Sequence, residues 1–273
     1  MNVSKNAYYY WKREGRYKKQ KEEVIYLKER IHYHFIKSNE IYGSARIQAM
    51  IKRESLTYSR SYIARLMHEM GLRSVLKRKF VVTTDSNHKQ PVFDNIIQRD
   101  FSSMELGKKW VSDITYVRVG TAWNYLTTIM DLADRKIVGW HVSTDMTTEN
   151  TTKKAWFDAR RNREIADGFV FHSDRGVQYA ASDLVELVNS NPKVTQSMSR
   201  KGNCWDNAPA ESFFKTIKYE WLFRFKFHTT RELEAEVQRY IQWYNYERIH
   251  SAIGYFTPAE MEMKLKGFLK NVA

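Results

Sequence analysis

The chain has 273 residues, 42% hydrophobic and 14% aromatic, with a formal net charge of +14. That is enough apolar material for a sizeable core and two domains. No apolar run is long enough to span a bilayer, and the single cysteine, Cys204, excludes intrachain disulfides and cysteine-rich zinc sites. The opening MNVSKNAYYYWKREGRYKK has no apolar stretch resembling a signal peptide, so an intracellular, cytoplasmic protein is expected.

Charge is unevenly spread. Residues 1–98 carry 20 Lys+Arg against 9 Asp+Glu, whereas the other 175 carry 25 against 22. A basic first third would attract phosphates and release their counterions; a solvated surface that aids solubility is the plainer alternative. Residues 20–38 read as an amphipathic helix, with Val24, Leu27, Ile31 and Phe35 at three- and four-residue steps. Ser44 can cap a second helix through residues 45–54 that buries Ile47, Met50 and Ile51. Ser59 can cap a third with Ile63, Leu66, Met67 and Met70 inward and Gly71 as its stop. Three short helices with tight breaks fit a helix-turn-helix unit, residues 1–74, whose third helix would face DNA with Arg60, Tyr62, Arg65 and His68. A helical bundle that serves only protein contacts would show the same pattern.

In residues 75–98 the periodicity fades and Thr, Ser, Asn and Pro collect, as in a linker, with Lys77, Arg78 and Lys79 able to track a phosphate backbone. From Trp110 the texture becomes α/β. Strands are predicted at 110–118, 125–131, 137–144, 169–173 and 194–196, with helices near 149–161 and 182–189. This order suggests a mixed sheet covered on both faces. After Glu211 the chain reads as mostly helical, with Val237, Tyr240, Ile241 and Tyr244 along one side of residues 231–247.

Three acids stand out. Asp113 interrupts the β-branched run WVSDITYV, Asp174 ends the strand in VFHSDRGVQY, and Glu211 opens a helix in DNAPAESFFKTIK. Acids are depleted within strands, and burying their charge is costly without a cation or donor. Carboxylates are also the hard oxygen ligands that two-metal phosphoryl transfer needs. Three of them from distant segments of a basic chain therefore suggest one divalent-metal site acting on nucleic acid. Asp206 or Asn207 can cap the third segment's helix with Pro209 in its first turn, and Lys215 and Lys218 follow Glu211 on the same face. An exposed Glu–Lys pair on a solvated helix is the ordinary alternative. The loop SMSRKGNCWDNAP looks mobile and basic, with Arg200 and Lys201 as candidate DNA contacts and Trp205 able to stack on an unpaired base or fill a crevice. His172 could orient a nucleophile, bind substrate or serve structure. Asp131 and Asp134 lie at a strand-to-strand turn, where aspartate is ordinary.

These residues carry a family resemblance. The stretches YGSARI (42–47), YSRSYIARLMHEMGLRS (58–74), WVSDITYV (110–117), FHSDRGVQY (171–179), QSMSRKGNCWDNAPAESFFKTIK (196–218) and YNYERIHSAIGYFTPAE (244–260) run in order over nearly the whole chain. In them the chain resembles the second-frame (OrfB) half of bacterial transposases of the insertion-sequence-three family, and more broadly the DDE integrase core.

The resemblance implies an α/β fold. A ribonuclease-H-like mixed-sheet core over 99–225 would follow the helix-turn-helix domain, with a helical extension over 226–273. It implies Asp113, Asp174 and Glu211 as catalytic and metal-binding residues, two Mg²⁺ ions per site with Mn²⁺ able to substitute, and Lys215 and Lys218 as contacts to transposon-end DNA. Implied partners are double-stranded DNA, further copies of the chain and a first-frame (OrfA) segment joined by frameshifting, in a nucleoid-associated, copy-out, paste-in reaction. There are 36 residues between the second and third acids, about one more than the family pattern, and the addition is expected within Val188–Lys193. A non-catalytic DNA-binding regulator and a ribonuclease H are the rival readings; the latter draws an early acid from the first helix after the opening strands rather than a late one such as Glu211.

Overall fold

The computed structural model describes residues 4–75 and 92–267, without the side chains of Arg16, Tyr17 and Cys204. The chain forms two compact units, Met1–Leu76 and Lys77–Ala273. Lys77, Arg78 and Lys79 lie outside the described residues.

In the first unit, α1 (Lys5–Lys37), α2 (Ser44–Arg53) and α3 (Arg60–Glu69) follow the expected order. They close over Leu27, Ile31, Phe35, Ile47, Ile51, Ile63, Leu66 and Met67, all buried. Met50 and Met70 are only half-buried. Ser59 caps α3 by accepting from the Tyr62 N–H at 3.2 Å. Gly43 rather than Ser44 precedes α2 as its cap residue. Glu54, just past α2, accepts from Arg30 Nε at 2.9 Å and from His34 Nε2 at 2.8 Å on α1, tying the two helices together. The first helix begins well before residue 20. Ser4 caps it through the Ala7 N–H at 3.1 Å, and its opening turns hold exposed Tyr8, Tyr9, Tyr10 and Trp11. With no buried face there, no apolar period marks that stretch in the sequence.

The second unit is built on a five-stranded sheet of order β3-β2-β1-β4-β5, formed by β1 (Lys109–Val119), β2 (Ala122–Asp131), β3 (Ile137–Ser143), β4 (Phe169–Ser173) and β5 (Val194–Met198). The first three strands form an antiparallel meander, while β4 and β5 run parallel to β1. This is the mixed sheet expected of a ribonuclease-H-like core.

Alternation along β1 sends side chains to two separate cores. Trp110 joins Trp156, Phe169, Phe171, Tyr179 and Leu184 beneath α4 (Lys154–Asn162), α5 (Val177–Ala180) and α6 (Ser182–Asn189). Val111, Val117 and Val119 join Phe213, Phe214 and Ile217 of α7 (Ala208–Glu220) and Leu233, Val237, Tyr240 and Tyr244 of α8 (Thr230–Tyr246). A π-helical turn, Glu149–Lys153, leads into α4. There Gly139 lets the helix lie directly on β3, since a Cβ would meet the Ala155 carbonyl at 2.4 Å. The last residues of the expected linker pack on this unit, with Ile97 buried and the Ile96 N–H donating to Ser197 Oγ at 2.9 Å. A final helix, α9 (Pro258–Leu265), starts from a complete capping box between Thr257 and Glu260.

One ion pair fixes the far end of α7. Glu220, 1% exposed, accepts from Arg248 Nε at 2.8 Å and Nη2 at 2.6 Å, and from the Tyr240 hydroxyl at 2.7 Å. Arg248→Met leaves a buried carboxylate uncompensated and is expected to cost about 3–5 kcal/mol. Glu220→Leu added to it should return much of that loss, as measured by urea unfolding of the two variants.

Candidate active site

The register of β1 on β4 explains how two acids 61 positions apart come together. Val111 pairs with His172 and Ser112 with Ser173, so Asp113 and Asp174 are the next residues on two neighbouring parallel strands, which lie about 5 Å apart. The Asp113 carboxylate accepts from the Ile114 N–H at 2.8 Å and the Asp174 carboxylate from the Gly176 N–H at 2.9 Å. Glu211 arrives from the other direction, in the first turn of α7. Asn207, at the start of that helix, donates from Nδ2 to the Ser112 carbonyl at 3.0 Å, fastening α7 beside Asp113.

The electrostatics report this convergence. Burial pushes the Asp113 carboxyl well above its ordinary value, and the charges of Asp174 and then Glu211 push it further, against the pull of Lys218. Glu211 is exposed to solvent on its helix, and the partial burial of its carboxyl and then the charge of Asp174 raise it. Lys218 is half-buried; burial lowers its ammonium while Asp113 raises it, and it sits 5.0 Å from the centre of the Tyr116 ring. Lys215 is exposed on the same helix. Among the described residues no group of three or more His, Cys, Asp or Glu is drawn close enough to hold a metal ion as it stands. The donor set nevertheless suits a hard divalent ion: it is all carboxylate, and its mutual repulsion is relieved only in part by one lysine.

The floor of the site is polar and paired. Ser112 Oγ donates to the Thr128 carbonyl at 3.0 Å, so the buried Tyr179 hydroxyl at 2.7 Å must be the donor to Ser112. His172 is fully buried. Its Nε2 faces the Asp206 carbonyl at 2.9 Å and must carry the proton, which leaves Nδ1 to accept from Ser197 Oγ at 2.9 Å. Burial pushes this imidazole down to about 4, so it is a neutral strut between β4, β5 and the α7 loop.

That loop is fastened at both ends. Asp206, with no exposed surface, accepts from Arg99 Nε at 2.8 Å, Arg200 Nε at 2.8 Å, Arg200 Nη2 at 2.9 Å and the Arg200 N–H at 3.0 Å. Hydrogen bonds from Arg200 hold its carboxyl far below the ordinary range. Neither Asp206 nor Asn207 caps α7 with its side chain, because one is spent on arginines and the other on β1. Pro209 does occupy the first turn. Trp205 fills no crevice, being 67% exposed.

Asp131 and Asp134 are buried structural acids. Arg163 bridges them at 2.7 Å to each, and Trp110 Nε1 and the Gly107 N–H also bond Asp131. In the first unit Arg60 and Arg65 are exposed and Tyr62 half-buried on α3, with Arg65 4.9 Å from the centre of the Tyr62 ring. Lys201 is exposed in the loop. Ser112, Tyr179, Arg99 and the Glu220–Arg248 pair carry no signal in the sequence, and Arg200, expected on DNA, is paired with Asp206. Asp206 alone carried a local signal, its position before a helix, and that signal suggested a cap.

Profiles described as Integrase core domain match residues 105–204 and 192–258, and one described as HTH-like domain matches residues 21–80. The chain is 38% identical over 264 residues to the insertion element IS600 uncharacterized 31 kDa protein of Shigella sonnei, covering 96% of each chain. It is 33% identical over 235 residues to transposase InsF for insertion sequence IS3A of Escherichia coli (strain K12), covering 84% of this chain and 80% of that one. The fold is also shared with a chain of the simian T-cell lymphotropic virus intasome, at a TM-score of 0.51 and 11% identity over 78% of this chain and 69% of the other. Sequence, domain order and fold thus agree, and the chain belongs to the IS3 family of transposases, with an integrase core behind a helix-turn-helix-like unit.

Proposed function

We propose that the chain cuts and joins DNA strands at the ends of its insertion sequence, with Asp113, Asp174 and Glu211 as its catalytic, metal-holding carboxylates. The observation that supports this most is the β1–β4 register that sets Asp113 beside Asp174, with Asn207 fastening the start of the Glu211 helix to the Ser112 carbonyl. When bound, two Mg²⁺ ions, or Mn²⁺ in their place, supply positive charge that activates a water or a 3′-hydroxyl and stabilises the attacking and leaving oxygens. The chain's own groups position the substrate around that chemistry. Asp113 and Asp174 offer oxygens from rigid strands, and Glu211 closes the set from α7. Lys218 offers a cation beside Asp113 for a phosphate next to the scissile one, and Lys215 extends that line along the helix. Among the described residues no side chain is placed as a covalent nucleophile, so direct in-line displacement is the reaction that fits.

Other parts of the reading concern partners. Arg60, Tyr62 and Arg65 on α3 and Arg200 and Lys201 in the α7 loop are the proposed contacts to double-stranded DNA, together with Lys77, Arg78 and Lys79 of the linker sequence. The complete reaction follows the copy-out, paste-in route, requires two or more copies of the chain on paired DNA ends, and draws on a first-frame segment as fusion partner. No helix among the described residues is long and apolar enough to cross a membrane. A cytoplasmic, nucleoid-associated location follows from this function.

Asp113→Asn should lower Mg²⁺-dependent strand transfer on oligonucleotides carrying the element's ends by at least about 10²–10³-fold, the cost of removing one preorganised charged group. DNA binding by gel shift should stay intact. Undiminished joining by this variant would end the catalytic assignment, and DNA binding without cutting by the parent chain would favour a regulator.

Stability supplies a second test. Asp113 holds its proton more tightly folded than unfolded, so its ionisation destabilises the metal-free protein. The penalty is absent below about pH 4 and grows as pH rises through the folded-state value. Metal-free Asp113→Asn should therefore melt above the parent at pH 7, by roughly 2–4 °C if about 1 kcal/mol is recovered, with the gap closing near pH 4. Adding Mg²⁺ should raise the melting temperature of the parent more than that of the variant.

A further inference from the structure

Trp205 combines two properties that seldom occur together. Its side chain is 67% exposed, yet its mount is rigid. Asp206 beside it is buried under four hydrogen bonds from Arg99 and Arg200, with Arg99 Nη2 also reaching Asn203 Oδ1 at 2.8 Å. The Asp206 carbonyl receives the proton of His172 Nε2, and Asn207 holds the Ser112 carbonyl one residue from Asp113. A lone exposed apolar residue is ordinary. An indole carried on a turn pinned by these hydrogen bonds is a different object, because the backbone share of the ordering cost that a ligand normally imposes has already been met.

The surroundings select the ligand. The same arginines line a cleft of about 700 Å³ formed by Asp94, Asn95, Gln98, Arg99, Arg175 and Arg200. Arg175 follows Asp174 directly and is held by the Ser199 carbonyl at 2.6 Å. Three guanidiniums face two carboxylates, Asp94 and Asp206, so the cleft keeps one net positive charge and an abundance of fixed N–H donors. A protein partner at Trp205 would call for apolar surface continuing beyond the ring. A single aromatic platform next in sequence to Asp206, whose arginines line that cleft, matches the pattern that binds unpaired nucleic acid.

We infer that Trp205 stacks on an unpaired base at a DNA end, while phosphates of the same strand lie in the arginine-lined cleft. This rests on reading the neighbouring carboxylates as a DNA strand-cutting site. Within a duplex the faces of a base are covered by its neighbours, so the platform rewards opening of the terminal pairs. Opening lengthens the single strand that can reach Asp113, Asp174 and Glu211.

The test uses the full chain, Trp205→Ala and Trp205→Phe, and two oligonucleotide duplexes that differ only in whether the last three positions are paired or mismatched. Affinities are measured by fluorescence anisotropy without divalent ions. The parent chain should prefer the mismatched end by at least about fivefold, the low end of what stacking on one aromatic gives. Trp205→Ala should lose that preference while keeping its affinity for the paired duplex, and Trp205→Phe should retain most of it. A parent chain without the preference, a preference that survives in Trp205→Ala, or an equal loss on both duplexes would overturn the inference. So would a change confined to self-association, which would give Trp205 to a contact between copies. Because Trp205 is exposed, the alanine variant should melt within about 1 °C of the parent. Failure of the strand-cutting reading shows separately, as a parent chain that binds both duplexes yet cuts neither with Mg²⁺.

Discussion

The pairing of β1 with β4 is the constraint on which the rest of this molecule turns. Once Ser112 is opposite Ser173, the next residue along each segment is an aspartate, Asp113 still within β1 and Asp174 directly past the end of β4. The ladder is held by a dense aromatic layer, with Trp110 packed 4.9 Å from Phe169 and Trp156 5.0 Å from Phe171, ring centre to ring centre. That layer stabilises an arrangement that electrostatics opposes, since like charges at this spacing raise each other's proton affinity. Lys218 and two backbone N–H groups offset part of the repulsion, and the remainder is what makes the site receptive to added positive charge.

The third acid depends on a different kind of support. α7 meets the sheet through Phe213, Phe214 and Ile217, which set its height over β1 without fixing its position along the strand. Polar anchors at its two ends do that. Asn207 ties the start to Ser112, and Glu220 ties the finish to Arg248, beyond α8. His172 and the Asp206–arginine cluster brace the loop that leads in. Helix and strands are thus bound by hydrogen bonds at the points where the carboxylates must meet.

Much of this was legible in the sequence, for reasons that can be named. The strands announced themselves through β-branched and aromatic runs bounded by turn residues, and the observed edges fall within a few positions of those expected. Asp113 and Asp174 stood out because an acid within or directly after a β-branched strand is unusual, whereas Glu211, ordinary in the first turn of a helix, stood out only through its motif. The early half of α1 was not, since a helix without a buried face has no apolar period to detect. The supporting pairs were equally silent. Arg99 and Asp206 are 107 positions apart, Tyr179 and Ser112 67, Arg248 and Glu220 28, and no local pattern links such distant partners. The acids at Asp131 and Asp134 suggested only a turn, because the Arg163 that neutralises them lies a helix away.

The two modes of support divide the labour of any future change. Asp113 lies within β1 and Asp174 directly follows β4 in the same sheet, so moving either disturbs the ladder and the core behind it. Glu211 rides on a separate rod whose placement rests on a few replaceable latches, Asn207 and Glu220 foremost. Lengthening or shortening a latch would slide the third carboxylate relative to an immovable pair, altering the bite of the three oxygens while every one of them is kept. On the proposed reading, retuning of this centre toward a larger ion or a bulkier strand would begin at those latches, at the two ends of α7.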